Sequence, residues 1–347
     1  MNHIYNMLGP EGFGTYEVDW NTTTFQRVSA SPKALLVPGF VDIHIHGAFS
    51  IDFMSATQEE MLLLCDRLAE VGYESFLPTT VTASVADIQR TLSNLPEHEM
   101  IAGFHLEGPF ISPTYPGAQP PSAIATPPVG VSEWDPILDD PRLKLITLAP
   151  EVPGALDLSM RLMKRGVKVS MGHTNATYDE ARYGFEFGVS HSTHTFNAMR
   201  PLHHREAGTV GYAMANDSVY TELIYDRLHV STPAAKLLAK CKPQDKLVAV
   251  SDSTMATGMP PNLQIKMWGL DVVTGPGSVR LAANGSLAGS AITLLDAFRN
   301  LAQDFGEETA IRACSINPRL SMSWPIQPRV YLEMDKNYEI VGRRVLS

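Results

Sequence analysis

Five apolar runs in this chain end in residues that can hold a metal ion or move a proton. Ile43-His44-Ile45-His46-Gly47 carries two histidines one residue apart. The others are His105-Leu106-Glu107-Gly108-Pro109, Gly172-His173-Thr174-Asn175, His194 with Asn197-Ala198 behind it, and Ser251-Asp252-Ser253. In a β-strand, side chains two apart share a face, so His44 and His46 project together. Imidazole suits divalent transition metals, and two convergent imidazoles make half a site. A single such histidine is most simply a hydrogen-bonded core residue. A coincident set of histidines, one glutamate and one aspartate at five strand ends is instead the pattern of a metal-dependent hydrolase.

Those residues can meet only if the runs are neighbouring strands. The patterning predicts strands near 40–46, 74–80, 100–107, 143–149, 167–173, 189–194, 219–226 and 246–252. Helices are expected over 57–71, 84–95 and 155–165, from Thr177, from Thr232, and over 290–304. Thr57 and Glu60 have the spacing of a capping box at the first of these. The alternation reads as an α/β protein, a parallel (β/α)8 TIM-like barrel, with a doubly wound sheet as the alternative. Barrel enzymes carry their chemistry at the C-terminal strand ends, where the residues above fall. A Pro- and Gly-rich stretch from Gly108 to Pro141 is too long for a plain turn, and such loops are usually functional. A hairpin carrying Asn284-Gly285 is expected within 262–287. Alternating segments near both termini suggest a small β-sandwich layer from residues 1–37 and 320–347, leaving 38–319 as the barrel.

Composition narrows the partners. The 347 residues carry a net charge of −10, which argues against nucleic acid or an anionic membrane surface. Cys65, Cys241 and Cys314 are few, odd in number and far apart, so no disulfide framework is expected and a reducing cytoplasm is. No basic-then-apolar leader and no apolar run long enough for a membrane span is visible.

The motifs PGFVDIHIHG, HLEGPFISP, LAPE, MGHTNAT, THTFNAM, PLHHREAG, DRLHVS, SDSTMATG and NGSLAGS, in that order over roughly 38–300, resemble the N-acetylglucosamine-6-phosphate deacetylases of the amidohydrolase superfamily. HLEGPF with GHTNA and HxxNAM is specific to that family, whereas HxH is shared more widely. The resemblance implies a principal metal site of Glu107, His173 and His194. His44 and His46 would support a second ion bridged by Glu107, giving one or two divalent metals (zinc, iron, manganese or cobalt) per subunit. It implies Asp252 as general base and acid toward a metal-activated hydroxide. Asn197, Ala198, Arg205 and His229 match sugar- and phosphate-binding positions, and Gln119 a position near the substrate carbonyl. The phosphate-binding arginine comes from a neighbouring subunit in the family, so a homodimer is implied. The expected products are glucosamine 6-phosphate and acetate. The alternatives are another N-acetyl amino sugar phosphate, such as the galactosamine epimer, or a non-catalytic sugar-phosphate-binding metalloprotein.

Each assignment has a plainer reading. Asp252 could cap a helix or serve only as a ligand, and Arg205 could be an ordinary surface arginine. His203 and His204 could be solvated or touch phosphate. His105 is expected to support the metal ligands, and His3, His98 and His191 to be structural or exposed. Two departures from the family stand out. The usual D-G-x-H is Asp226-Arg227-Leu228-His229, so Arg227 either crowds the sugar or points away. The glycine-rich C-terminal segment is replaced by a shorter run from Asn317 to Pro328, which predicts a reduced outer layer. The metal and acid/base positions are intact, so an active enzyme is expected.

Overall fold

The computed structural model describes residues 3–346. Eight parallel strands pair in simple chain order: Phe40–Ile45, Tyr73–Thr80, Phe104–Glu107, Leu143–Leu148, Lys168–Met171, Val189–Ser192, Tyr220–Ile224 and Leu247–Val250, called strands one to eight below. The ring closes where strand eight returns to strand one. The Asp252 N–H donates to the His44 carbonyl at 2.9 Å and the His46 N–H to the Ser253 carbonyl at 2.8 Å. Asp42 pins the same seam, its carboxylate accepting from the Ser251 N–H at 3.3 Å and from the Tyr73 hydroxyl at 3.2 Å. The (β/α)8 barrel expected from the alternation is the observed fold.

Local chemistry explains the elements. Strands one and two are buried along their whole length, as strands covered on both faces should be. The helix Gln58–Glu70 starts at the expected capping box. The Glu60 N–H donates to Thr57 Oγ1 at 3.2 Å, and the Thr57 N–H to Glu60 Oε2 at 2.9 Å. That helix buries Met61, Leu64, Cys65 and Leu68 at helical spacing against the barrel. The same box, Thr177 with Glu180, starts Tyr178–Glu186. Strand three begins at Phe104 rather than Met100, because Gly103 has φ +133° and leaves only an isolated bridge between Ile101 and Phe76 before it.

Two parts of the fold carried little sequence signal, and a third, the expected terminal β-layer, was legible in four of its six strands. The helix Gly208–Ala215 between strands six and seven has six of its eight residues buried, so no polar stripe marks its period. Glu307–Ile311 continues through a wide helical turn, Arg312–Ile316, into Asn317–Met322. The run from Asn317 is thus helix, and it plugs the N-terminal end of the barrel. Ser315 Oγ donates to the Pro38 carbonyl at 2.8 Å, and buried Arg319 pairs with buried Glu74 at 2.8 Å. The third is a six-stranded sheet in the order Ile340–Val345, Val330–Met334, Ala34–Pro38, His3–Gly9, Gly12–Asp19 and Thr24–Arg27. Ala34–Pro38 and His3–Gly9 were not expected as strands. Its core is Tyr5, Met7, Tyr16, Val18, Leu36 and Tyr331.

The region expected to hold one hairpin is a four-stranded antiparallel sheet of Gln264–Met267, Leu270–Gly275, Ser278–Leu281 and Leu287–Ser290. It sits between strand eight and the helix Leu294–Phe305 and has its own small core around Met267, Val272, Val279 and Ala288. Among the described residues, no helix is long and apolar enough to cross a membrane.

Candidate active site

The six residues expected at the metal and acid/base positions, from His44 to Asp252, leave the barrel at one end. His173, His194 and Asp252 follow their strands with φ of +47°, +27° and +47°, and Ala198 has φ +48°. Residues with a Cβ avoid this region at a cost of roughly 1–2 kcal/mol each, and such strain gathers at functional sites. The left-handed turns swing these side chains inward across the barrel mouth. The turn after His173 is clamped by Glu151, which accepts from Thr174 Oγ1 and the Asn175 N–H at 2.6 Å each.

Glu107 is the hub. Its Oε1 lies 3.0 Å from His173 Nε2, 3.2 Å from His194 Nε2 and 3.4 Å from His44 Nε2. Its Oε2 lies 3.3 Å from His46 Nε2 and accepts from Gln119 Nε2 at 2.5 Å. Asp252 Oδ1 is 3.2 Å from His46 Nε2 and 3.5 Å from His44 Nε2. His173 Nε2 and His194 Nε2 face each other at 3.1 Å. The carboxylate of Glu107 thus stands between a pair formed by His173 and His194 and a group formed by His44, His46 and Asp252.

The far sides of the rings explain why Nε2 points inward. His44 Nδ1 is 3.1 Å from Glu222 Oε2, His46 Nδ1 is 3.0 Å from the Thr79 carbonyl, and His173 Nδ1 is 3.1 Å from the Pro116 carbonyl. An Nδ1–H donated outward leaves the Nε2 lone pair free for an ion, the usual arrangement of a metal-ligating histidine. Glu222 also accepts the His194 N–H at 3.1 Å, so one buried carboxylate steadies both groups.

This donor set fits a divalent cation. A tetrahedral ion with ligands at about 2.1 Å separates neighbouring donors by about 3.4 Å. The contacts around Glu107 and Asp252 span 3.0 to 3.5 Å. The buried His44 Nε2 has no hydrogen-bond partner, and the triads His44, His46, Asp252 and His44, Glu107, His194 each bring three donors together.

The electrostatics point the same way. Burial opposes protonation of His44 and His46, yet the facing carboxylates of Glu107 and Asp252 carry His44 well above the ordinary imidazole range and His46 to about 9. Burial also opposes ionisation of Glu107 and Asp252, but the surrounding histidines hold both below the usual carboxylate range. Without a cation, protons supply the positive charge that the carboxylates demand. His105 differs: burial and the nearby His44 hold it well below its ordinary value. Its Nε2 meets Thr147 Oγ1 at 2.8 Å, in a layer of hydroxyls beneath the cluster, and it packs edge-on against His44.

A cavity of about 240 Å³ opens onto the cluster. Gln119, Asn197, Ala198 and His229 all line it, with Gly117, Ala118, Trp268, Leu287 and Gly289. Gln119 is fixed at both ends, since its Oε1 accepts the Thr82 N–H at 2.7 Å. His229 is oriented by Asp226, whose Oδ2 lies 2.6 Å from Nδ1. Arg205 is not brought into this cavity. It is exposed on the loop after strand six, with its Nη1 2.8 Å from His204 Nε2. Arg227 points away: Nε reaches Asp304 Oδ2 at 2.8 Å and Nη2 reaches Gln303 Oε1 at 3.0 Å on the helix Leu294–Phe305.

Three residues escaped the sequence reading. Glu222 is an acid inside the buried strand Tyr220–Ile224, and that position was a usable signal because a fully buried carboxylate needs partners. Glu151 belongs to the LAPE motif, but nothing local shows that it reaches Thr174. Trp268 lies in the four-stranded sheet, and nothing in the sequence places it beside His46.

The amidohydrolase family model matches residues 35–326. The N-acetylglucosamine-6-phosphate deacetylase of Bacillus subtilis (strain 168) is 36% identical over 287 residues, 80% of this chain and 72% of the relative. The N-acetylgalactosamine-6-phosphate deacetylase of Escherichia coli O157:H7 is 34% identical over 302 residues, 84% of this chain and 79% of the relative. A mutant N-acetyl-D-glucosamine-6-phosphate deacetylase of Mycobacterium smegmatis, solved with N-acetyl-D-glucosamine-6-phosphate, superposes with a TM-score of 0.88 at 27% identity, covering 99% of this chain and 98% of that one. A barrel with this Glu107-centred cluster, matched by that family over most of its length, belongs to the amidohydrolase family.

Proposed function

We propose that this chain hydrolyses the acetamide of N-acetylglucosamine 6-phosphate, releasing acetate and glucosamine 6-phosphate. The observation that carries the reading is the convergence of Asp252 and the Glu107-centred imidazole cluster on one cavity that also presents Gln119, Asn197 and His229. Family membership implies a divalent metal. Glu107, His173 and His194 would hold one ion, and His44 and His46, with Glu107 shared, a second. Zinc, iron, manganese and cobalt all suit such donors. A bound cation would lower the pKa of a water from 15.7 to about 7 and draw charge from the amide carbonyl.

The chain's own residues do the rest. Asp252, held ionised beside His46, takes a proton from the attacking water and returns it to the leaving nitrogen. The C–N bond breaks as the new C–O bond forms, and no redox partner is needed. Gln119 orients the carbonyl and donates to its developing negative charge, while His229 acts on the sugar-phosphate side. Asn197 and the Ala198 backbone face the sugar. Arg205 reaches the phosphate of a substrate held by a second copy, so the working unit is a homodimer. The free thiols of Cys65, Cys241 and Cys314 suit a reducing cytoplasm.

A second reading, the galactosamine epimer, is favoured by the 34% identity to a deacetylase of that name. Acetate release from both epimers separates the two: the first reading expects the gluco compound to be faster. Equal or reversed rates would sink it. A chelated sample and an Asp252→Asn variant should each lose activity, the variant by roughly 10²- to 10⁴-fold in kcat with its metal retained. Ligand binding with no acetate release would point to a non-catalytic sensor instead.

A further inference from the structure

The cavity is lined by two chemically different groups of residues. Asn197, Ala198 and His229 form one. Trp268 and Leu287 form the other, both supplied by the four-stranded sheet outside the barrel. A sugar phosphate needs the polar group, which leaves the apolar one available to the acyl chain of an amide held at the cluster.

Trp268 occupies the turn between Gln264–Met267 and Leu270–Gly275, with φ +55° followed by φ +79° at Gly269. Its ring lies edge-on to His46, with centroids 5.1 Å apart and an interplanar angle of 66°. Its Nε1 is buried and faces the Asp52 carboxylate. A left-handed turn is a natural place for Asn, Asp or Gly, not for the largest side chain. A large side chain in a left-handed turn, tolerated where it packs on His46 and lines the cavity, points to a role at the site and not in the turn.

We propose that Trp268, backed by Leu287, is the wall that receives the acyl methyl and limits acyl length. The inference rests on the deacetylase reading and adds a specificity-determining residue to it. The indole beside His46 sets the distance from the scissile carbonyl to the end of the pocket. A longer acyl chain then has to displace the ring, the four-stranded sheet behind it, or the carbonyl itself.

The test compares kcat/KM for acid release from the N-acetyl, N-propionyl and N-butyryl forms of the preferred amino sugar 6-phosphate. Wild type should fall about tenfold or more for each added methylene. Trp268→Ala should raise the butyryl-to-acetyl ratio by about tenfold to a hundredfold, and Trp268→Phe should give an intermediate ratio. Leu287→Ala should shift the ratio in the same direction. These two variants carry the readout if melting and metal content show that Trp268→Ala is misfolded. A wild type indifferent to acyl length overturns the inference. So does a variant ratio within twofold of wild type, including the case where KM rises equally for every acyl chain, which would make the indole a platform for the sugar. A wild type that releases acid from neither epimer overturns the deacetylase reading and this inference together, whereas an active wild type with unchanged variant ratios overturns this inference alone.

Discussion

Histidines at the two ends of the barrel live under opposite conditions. At the C-terminal end, facing carboxylates carry His46 to about 9 and His44 well above its ordinary range. At the N-terminal end, His191 on strand six is held down to about 3 by burial, with Lys168 and Lys246 adding to the effect. Its ring stacks on Tyr220 at 5.2 Å, and Lys246 lies over that same tyrosine at 4.0 Å. Both ends are buried, so burial alone does not decide. The sign of the neighbouring charge does, and it separates a histidine that can exchange its proton for a cation from one that only fills space.

The largest effect expected from this contrast is on metal-free protein. His46 has a folded value near 9 against about 6.5 unfolded, so its contribution is fully present below pH 6.5 and is lost as the pH rises to about 9. A cation replaces those protons. The stabilisation gained on adding zinc should therefore grow between pH 6.5 and 9, by up to about 3 kcal/mol from His46 alone. Melting curves with and without metal across that range measure it, and a gain that shrinks with pH would contradict the assignment.

His191 gives the opposite slope. It stays neutral in the fold while the unfolded chain takes a proton below pH 6.5, so stability falls as the pH drops from 6.5 toward 3. His191→Gln should remove this loss, narrowing the difference in unfolding free energy between pH 7 and pH 5 by about 2 kcal/mol in denaturant titrations.

Glu222→Gln sharpens the comparison within the mouth. It keeps the shape but removes the charge that fixes His44 Nδ1, and metal affinity should fall about 10- to 100-fold by competition with a chromogenic chelator. An unchanged affinity would leave Glu222 as a packing group only.

The smallest effect belongs to Arg227→Gly. Arginine here adopts φ +64°, suited to glycine, but the flexible unfolded chain of a glycine variant offsets that relief. The loss is then the half-exposed pair with Asp304, less than about 1 kcal/mol in thermal unfolding, with epimer preference within about twofold of wild type. A reversed preference would show that Arg227 does govern the sugar site.

Much of the fold was legible because barrel strands and capped helices announce themselves locally. Thr57 with Glu60 and Thr177 with Glu180 mark helix starts to the residue. The site was legible where a chemical residue ended an apolar run, as at His44, Glu107 and Asp252. It was not legible where a contact joins distant segments: Glu222 is 178 residues from the histidine it holds. Nor could the strands His3–Gly9 and Ala34–Pro38 be read from pattern, since their burial depends on partners from the other end of the chain.

The insertion of the four-stranded sheet has a consequence for how such a protein can change over generations. The imidazoles and carboxylates that would hold a cation are tied to barrel strands, where a shift in one moves its neighbours. Trp268 and Leu287 ride on a separate small sheet with its own core around Met267, Val272 and Val279. Variation can accumulate in that appendage, widening or narrowing what the cavity admits, while the reactive centre is inherited intact.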